Sequence, residues 1–209
     1  FQEELVAQRV RFGPVLDGQV ITDDAALGVA AGTHTRGMPL MIGNTRDEFP
    51  LFTVTNPALS DLDDAGLLRL AKPVLAERAE AIVDGYRVAR EARGAGTAPL
   101  EVWNAIMTDS MFRMPAIRTA ELHTAHTPAT WMYLFDYESP ALEGRLGSCH
   151  SIDIPFIWGT TQVENMRSFC GSGAAVDALS GRMMETWLAF ARTGDPNSAA
   201  LPDWPAYDA

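Results

Sequence analysis

The chain of 209 residues has few of the side chains that build disulfide scaffolds and metal sites. It has two cysteines, Cys149 and Cys170, and four histidines. Two cysteines are too few for a disulfide framework, and their spacing matches no zinc-binding pattern. The histidines do not cluster with the cysteines in the sequence. We therefore predict no metal site and expect Cys149 to be a small buried filler rather than a reactive thiol.

Positive charge and long apolar runs are also scarce. Lys72 is the only lysine, and 16 basic residues stand against 27 acidic ones, which gives a net charge of −11. This balance argues against nucleic acid or an anionic membrane surface as a partner. No apolar stretch approaches the roughly 20 residues of a membrane span. Because 47% of the residues are hydrophobic, the composition suits a packed core.

The two ends of the chain lack the features of natural termini. The first residue is Phe1, and no basic segment followed by an apolar segment indicates a signal peptide. We expect the chain to be part of a longer polypeptide, and the sequence assigns it to no cellular compartment.

Two short segments predict β-strands. Pro39-Leu40-Met41-Ile42-Gly43 is an apolar run that suits a strand buried on both faces, and Thr130 to Asp136 is aromatic and β-prone. Helical material follows each one, which predicts parallel strands of an α/β fold. Because two strands are too few for a self-sufficient sheet, we interpret the chain as a portion of a larger domain.

Three stretches predict helices. Asp61 to Arg93 reads as two or three helices, with Pro73 at a helix start. Val102 to His126 is helical, with Pro115 at a kink or junction. Ala174 to Arg192 is the clearest amphipathic helix. The residues of the second stretch expected to face a core are Ile106, Met107, Ser110, Met111, Met114, Ile117 and Leu122.

His150 has the surroundings of a general base. It lies where a polar, turn-prone stretch gives way to an apolar run, so the protein can orient the imidazole while it reaches a substrate. Glu48 follows the first predicted strand and could orient the imidazole. Asp47 competes with Glu48 for that role, and Asp153, three residues after the histidine, could share a helical turn with it. We expect His34, His123 and His126 to be exposed.

A carboxylate followed by a histidine, each just past a strand, is the second half of the nucleophile, acid and base order of α/β-hydrolases. The nucleophile itself is missing from the sequence. No Gly-x-Ser-x-Gly motif occurs, and the nearest approach, Cys170-Gly171-Ser172-Gly173, follows the histidine, which is the wrong order.

Five motifs resemble the type-B carboxylesterase family, and they occur in family order across nearly the whole chain. They are Gly13-Pro14-Val15-Leu16-Asp17-Gly18, Ile42-Gly43-Asn44-Thr45-Arg46-Asp47-Glu48, Phe112-Arg113-Met114-Pro115-Ala116, His150-Ser151-Ile152-Asp153-Ile154-Pro155-Phe156, and Trp187 to Asn197 running on to Trp204-Pro205-Ala206-Tyr207. Each motif is weak alone, and together they are specific.

The resemblance implies that residues 1–209 form the C-terminal part of a single carboxylesterase domain with the α/β-hydrolase fold, a mostly parallel sheet flanked by helices that is incomplete on its own. It implies a serine carboxylesterase with Glu48 as triad acid and His150 as triad base. The serine elbow and the oxyanion loop would lie upstream, in the N-terminal half of the same enzyme, which would be a partner of this chain. A small-molecule ester would be the substrate, without a cofactor. The alternative is a catalytically inactive relative that serves binding or adhesion.

Further residues near the two triad members carry weaker expectations. Leu51 and Phe52 either line an acyl or alcohol pocket or pack in the core. Phe49 and Ser151 stand where a glycine commonly follows the acid and the base in the family, so they would narrow the gorge or adjust the loops. We expect Asp153 to be a buried carboxylate that supports the site.

Overall fold

A computed structural model describes residues 15–22 and 24–208 of the chain. The described part consists of two parallel strands and nine α-helices, joined by short 3₁₀ turns and one π-helical turn. The elements are α1 (Ala25–Ala31), β1 (Leu40–Thr45), α2 (Pro50–Thr53), α3 (Asp64–Leu75), α4 (Ala79–Glu91), α5 (Pro99–Thr108), the π turn (Asp109–Arg113), α6 (Met114–Thr124), β2 (Thr130–Phe135), α7 (Ile154–Ile157), α8 (Glu164–Cys170) and α9 (Ala174–Thr193).

The first of the family-like motifs lies only partly in this structure, because Gly13 and Pro14 fall outside the described residues. The predicted Asp-Gly turn is present in the part that is described. The Asp17 Oδ1 atom accepts the backbone N–H groups of Gln19, Val20 and Ile21, and Gly18 has a positive φ of 71°. A side chain would strain that conformation, which glycine adopts freely.

The two strands pair in parallel over their whole length, with Leu40 opposite Thr130 and Thr45 opposite Phe135. This confirms both predicted strands and the parallel α/β arrangement. Gly43 permits the close pairing, because a Cβ atom there would lie 2.4 Å from the carbonyl oxygen of Tyr133. The prediction that β1 is buried on both faces is wrong, since residues 40–43 are only half-buried. Among the described residues, β1 pairs with one strand, so its other edge has no strand partner there.

The helices after β1 form one hydrophobic core of their own, in which α3, α4 and α5 pack together. Asp63 caps α3 by accepting the N–H of Gly66 at 2.7 Å. The prediction that Pro73 begins a helix is wrong, because Pro73 lies in the last turn of α3. Leu67 and Ala71 of this helix are fully buried, so packing holds it together up to Leu75 despite the missing proline N–H.

The predicted junction near Pro115 is present as the π turn between α5 and α6. A π turn inserts extra residues per turn and so rotates the helix face that follows it. Ser110, Met111 and Met114 therefore point to solvent, and the prediction that they face a core is wrong. Ile106, which precedes the turn, is buried as predicted.

A second hydrophobic core lies against β2, where α9 packs on α7. The predicted amphipathic helix is confirmed as α9, with Val176 and Met183 buried and Gly194 as a left-handed C-cap. The fully buried residues Cys149, Ile152 and Phe156 belong to the same core. Apolar side chains on both sides of His150 in the sequence thus fix its loop to this core.

The histidines do not share the exposure expected of them. His34 is exposed, but His123 is 3% exposed and His126 is half-buried. His123 Nδ1 lies 2.7 Å from the hydroxyl of Thr130, and the His123 and His126 rings are 5.0 Å apart. His123 thus packs against the start of β2 and against His126 after the end of α6, and the expectation of exposure is wrong for it.

Candidate active site

Glu48 lies in a tight turn directly after β1. Its Oε1 atom accepts the backbone N–H of Thr45, the last residue of the strand, at 2.7 Å. Glu48 is 4% exposed, so the carboxylate is held inside the protein and has few orientations open to it. This turn places an acid at the carboxyl end of a parallel strand, where ligands of α/β folds commonly bind.

The loop after β2 brings His150 to the same edge of the sheet. Ser148 fixes this loop through two hydrogen bonds. Its hydroxyl donates to the Phe135 carbonyl at 2.7 Å, and its backbone N–H donates to Asp47 Oδ2 at 3.0 Å. The His150 N–H donates to the Glu48 carbonyl at 3.3 Å. Backbone contacts therefore join the acid turn and the histidine loop before their side chains meet.

The side chains of Glu48 and His150 form a short hydrogen bond, with 2.6 Å between Oε2 and Nδ1. The other partner of the carboxylate is the Thr45 N–H, so both oxygens of Glu48 are used. A carboxylate at Nδ1 favours the tautomer that carries its proton there, which leaves Nε2 as the basic nitrogen. The histidine side chain is 37% exposed and lines an open recess, so the imidazole is accessible.

Asp47 does not reach the imidazole. Its carboxylate instead binds the Arg46 guanidinium at 2.9 Å and the Ser148 amide. Of the two adjacent acids, only Glu48 therefore contacts His150.

Asp153 provides a second carboxylate close to the pair. It is 9% exposed, and its Oδ2 atom accepts a hydrogen bond from the Tyr133 hydroxyl at 3.2 Å. Burial raises the pKa of Asp153, and the Glu48 charge acts in the same direction, while the Tyr133 bond and His150 oppose the shift. Burial likewise raises the pKa of Tyr133, and the Asp153 charge reinforces it.

Ser151 has a left-handed backbone, with φ of 65°. Glycine adopts this region freely, and other residues are strained there by about 1–2 kcal/mol. The family resemblance predicts a glycine at this position, and the left-handed backbone is one that glycine adopts without strain. Ser151 adopts the same turn with a strained backbone.

Aromatic rings surround the imidazole. The Phe52 and Phe112 rings have their centroids 5.3 and 5.1 Å from that of His150. Phe49 packs on Phe52 at 5.5 Å and belongs to the border of the helical core. Leu51 is 36% exposed and does not line the recess that contains His150. Sequence reasoning missed Phe112 as a site residue, although the motif that contains it was part of the family resemblance.

A recess of about 420 Å³ opens beside His150 and Glu48. Its walls come from the end of β1, the π turn, the start of α6 and the histidine loop. Met111, which the π turn rotates out of the core, is one of its lining residues. Its other lining residues include Gly43, Asn44, Phe112, Ala116, Thr119, Ser151 and Ile154.

Cys149 is the neighbour of His150 in the chain, but its thiol is not available as a nucleophile. Cys149 is fully buried, and burial raises its pKa to about 11, so its thiol is neutral at pH 7. No group of three or more histidine, cysteine, aspartate or glutamate side chains that could hold a metal ion occurs in residues 15–22 and 24–208. Within the same ranges, no helix combines the length and the apolar character needed to cross a membrane.

Comparison with known proteins gives a consistent result. The chain is 31% identical to the para-nitrobenzyl esterase of Bacillus subtilis over 199 residues, which cover 94% of this chain and 37% of that protein. It is 27% identical to the phenmedipham hydrolase of Pseudarthrobacter oxydans over 172 residues, 81% of this chain and 34% of that protein. The chain therefore spans little more than a third of the length of these relatives.

Solved structures show the same likeness. The carboxylesterase EST55 of Geobacillus stearothermophilus superposes with a TM-score of 0.80 at 33% identity, over 99% of this chain and 42% of that structure. The described residues thus form a partial α/β-hydrolase fold, as predicted. The profile of the carboxylesterase family matches residues 2–209. The chain belongs to the carboxylesterase family.

Proposed function

We propose that this chain supplies the acid and the base of a serine carboxylesterase, Glu48 and His150, and forms the C-terminal part of a single catalytic domain. The observation that carries the proposal is the 2.6 Å hydrogen bond between Glu48 Oε2 and His150 Nδ1 at the carboxyl ends of two parallel strands. Family membership supports ester hydrolysis as the reaction.

In the proposed reaction, His150 moves a proton twice. The Nε2 atom removes the proton of a serine hydroxyl as its oxygen attacks the ester carbonyl, and the imidazolium then protonates the leaving alcohol. The products of this half are the free alcohol and an acyl-serine. Nε2 next removes a proton from water, whose oxygen attacks the acyl carbon. The imidazolium then returns that proton to the serine oxygen as the acyl–serine bond breaks, which releases the carboxylic acid and the free serine. Glu48 stabilises the imidazolium in both halves.

The remaining machinery is proposed to lie in an N-terminal half of the same enzyme. The sequence of this chain contains no Gly-x-Ser-x-Gly motif, and acyl transfer needs both a nucleophile and oxyanion donors. We therefore expect residues 1–209 alone to lack esterase activity. The serine of the complete enzyme would lie next to Nε2 of His150, the accessible edge of the imidazole.

The recess beside His150 favours an uncharged ester with apolar groups. Met111, Phe112 and Ile154 line it, and the neighbouring Phe52 ring packs against the imidazole. One relative is named for para-nitrobenzyl esters, which carry an aromatic ring. We propose esters with an aromatic or other apolar group as the substrate class.

A direct experiment uses the enzyme produced from the complete gene. Purified enzyme is assayed with para-nitrophenyl acetate and then labelled with phenylmethylsulfonyl fluoride, and the labelled peptide is identified by mass spectrometry. We expect turnover, its loss on labelling, and one modified serine upstream of Phe1. If the enzyme shows no turnover and no serine is labelled, the result would contradict the proposal and favour the inactive binding or adhesion relative.

A further inference from the structure

A second recess, of about 670 Å³, lies beside the acid turn but contains neither Glu48 nor His150. Its walls come from α4, α5, the π turn and the loop at residues 144–147. Five of the 16 basic residues of the chain line it: Arg46, Arg90, Arg93, Arg113 and Arg145. We call it the arginine recess.

The charge of the arginine recess is opposite to that of the chain. Its acidic lining residues are Asp47, Glu101 and Asp109, so positive charges are in excess, whereas the chain carries a net charge of −11. Glu101 already accepts the backbone N–H of Ala98 at 3.0 Å. A local excess of positive charge on an acidic protein concentrates anions at that place.

Two of the five arginines are paired within the protein. Arg46 binds Asp47 and Glu138, at 2.9 and 2.5 Å. Arg113 binds Asp109 at 3.0 Å and donates to the Arg46 carbonyl at 2.9 Å, but its buried Nε atom has no partner among the described residues. These two arginines define one wall of the recess.

The other three arginines have no carboxylate partner in the described part of the chain. Arg90 donates through Nε to the Gly96 carbonyl at 2.5 Å, and Arg145 donates through Nε to the Leu142 carbonyl at 3.2 Å. The terminal nitrogens of both groups remain available, as does the whole guanidinium of Arg93. Three guanidinium groups with unused donors thus line a single recess.

We propose that the arginine recess binds a small organic molecule that carries a phosphate monoester. Guanidinium groups bind phosphate oxygens in pairs of parallel hydrogen bonds. A phosphate monoester offers three terminal oxygens and a charge of about −1.5 to −2, which matches three unpaired arginines better than one carboxylate does. The volume is that of a small-molecule pocket, and Tyr86, Ala105 and Leu146 provide contacts for the organic part.

The test measures binding and therefore does not depend on the proposed esterase activity. Phenyl phosphate, inorganic phosphate and succinate are titrated into the complete gene product by isothermal calorimetry. We expect saturable binding of phenyl phosphate at one site, at least ten-fold tighter than inorganic phosphate or succinate, and weaker at high salt. Inorganic phosphate or succinate binding as tightly as phenyl phosphate, or no saturable binding at all, would overturn the proposal.

Variants locate the site. The double variant Arg90→Gln with Arg93→Gln should weaken phenyl phosphate binding at least ten-fold, and Arg145→Gln alone should weaken it at least three-fold if the double variant fails to fold. Arg118→Gln is the matched control, because Arg118 is an exposed arginine on α6 outside the recess. Folded recess variants that bind as the wild type does would refute the assignment.

Discussion

The carboxylate of Asp47 accepts the backbone N–H of Ser148 at 3.0 Å and so ties the turn that carries Glu48 to the loop that carries His150. The same two residues form a second hydrogen bond, in which the Asp47 backbone N–H donates to the Ser148 carbonyl at 2.9 Å. Asp47 therefore helps to position the Glu48–His150 pair without contacting the imidazole.

This relationship predicts that Asp47→Ala lowers kcat of the complete enzyme about ten-fold with a smaller change in KM, because the variant loosens the alignment of Glu48 and His150. Asp47→Asn keeps an amide oxygen that can accept the Ser148 N–H, so it should retain more activity. Steady-state kinetics with para-nitrophenyl acetate checks both variants. Equal losses in Asn and Ala, or no loss in either, would exclude the positioning role.

Ser151→Gly should stabilise the protein. The φ of 65° strains the serine, while glycine loses more chain entropy on folding, so we expect a net gain of about 0.5–1 kcal/mol in the free energy of unfolding. Ser151→Val, which is β-branched, should destabilise it. Urea unfolding of the wild type and the two variants measures their free energies of unfolding. A Gly variant less stable than wild type would show that the interactions of the serine side chain stabilise the fold by more than the strain destabilises it.

Asp153→Asn should stabilise the protein at neutral pH but not at acid pH. Burial raises the pKa of Asp153, so the folded state holds the proton more tightly than the unfolded state does. Stability therefore falls as pH rises from about 4 through the raised pKa, and the uncharged asparagine avoids that loss. The difference in unfolding free energy between variant and wild type should grow from pH 4 to pH 7. A constant difference across that range would contradict a raised pKa of Asp153 in the folded protein.

The His123 environment predicts the opposite pH dependence. Burial lowers the pKa of His123, and the nearby His126 lowers it further, so the folded state favours the neutral imidazole. The unfolded state then binds the proton first, and stability is lost as pH falls below about 6.5. His123→Gln should lose less stability than wild type between pH 7.5 and 5.5 in thermal unfolding, with His34→Gln as an exposed control. Equal losses in all three would disprove the assignment.

The elements of the fold that depend on local sequence were predicted well. The apolar run at β1, the aromatic run at β2 and the amphipathic α9 each carry their pattern within a few residues. The π turn has no such local signature, and it rotates Met111 and Met114 out of the predicted core face. Pro73 shows the same limit, because tertiary packing of α3 overrides the usual preference of proline for a helix start.

The site depends on contacts between residues distant in sequence. Glu48 and His150 are 102 residues apart, and their chain order together with the family resemblance indicates both residues. The residue pattern alone left Asp47 and Asp153 open as the orienting acid. Phe112 and the burial of His123 are tertiary features, since the partners of both residues come from other elements.

The most direct test of the central proposal measures ester hydrolysis by the complete enzyme with His150→Ala and Glu48→Gln, beside the exposed Arg118→Gln as a control. We predict that His150→Ala lowers kcat at least about 10³-fold and that Glu48→Gln lowers it about 10²–10⁴-fold, with folding intact by thermal unfolding. Near-normal turnover in the folded His150→Ala enzyme would show that His150 is not the general base.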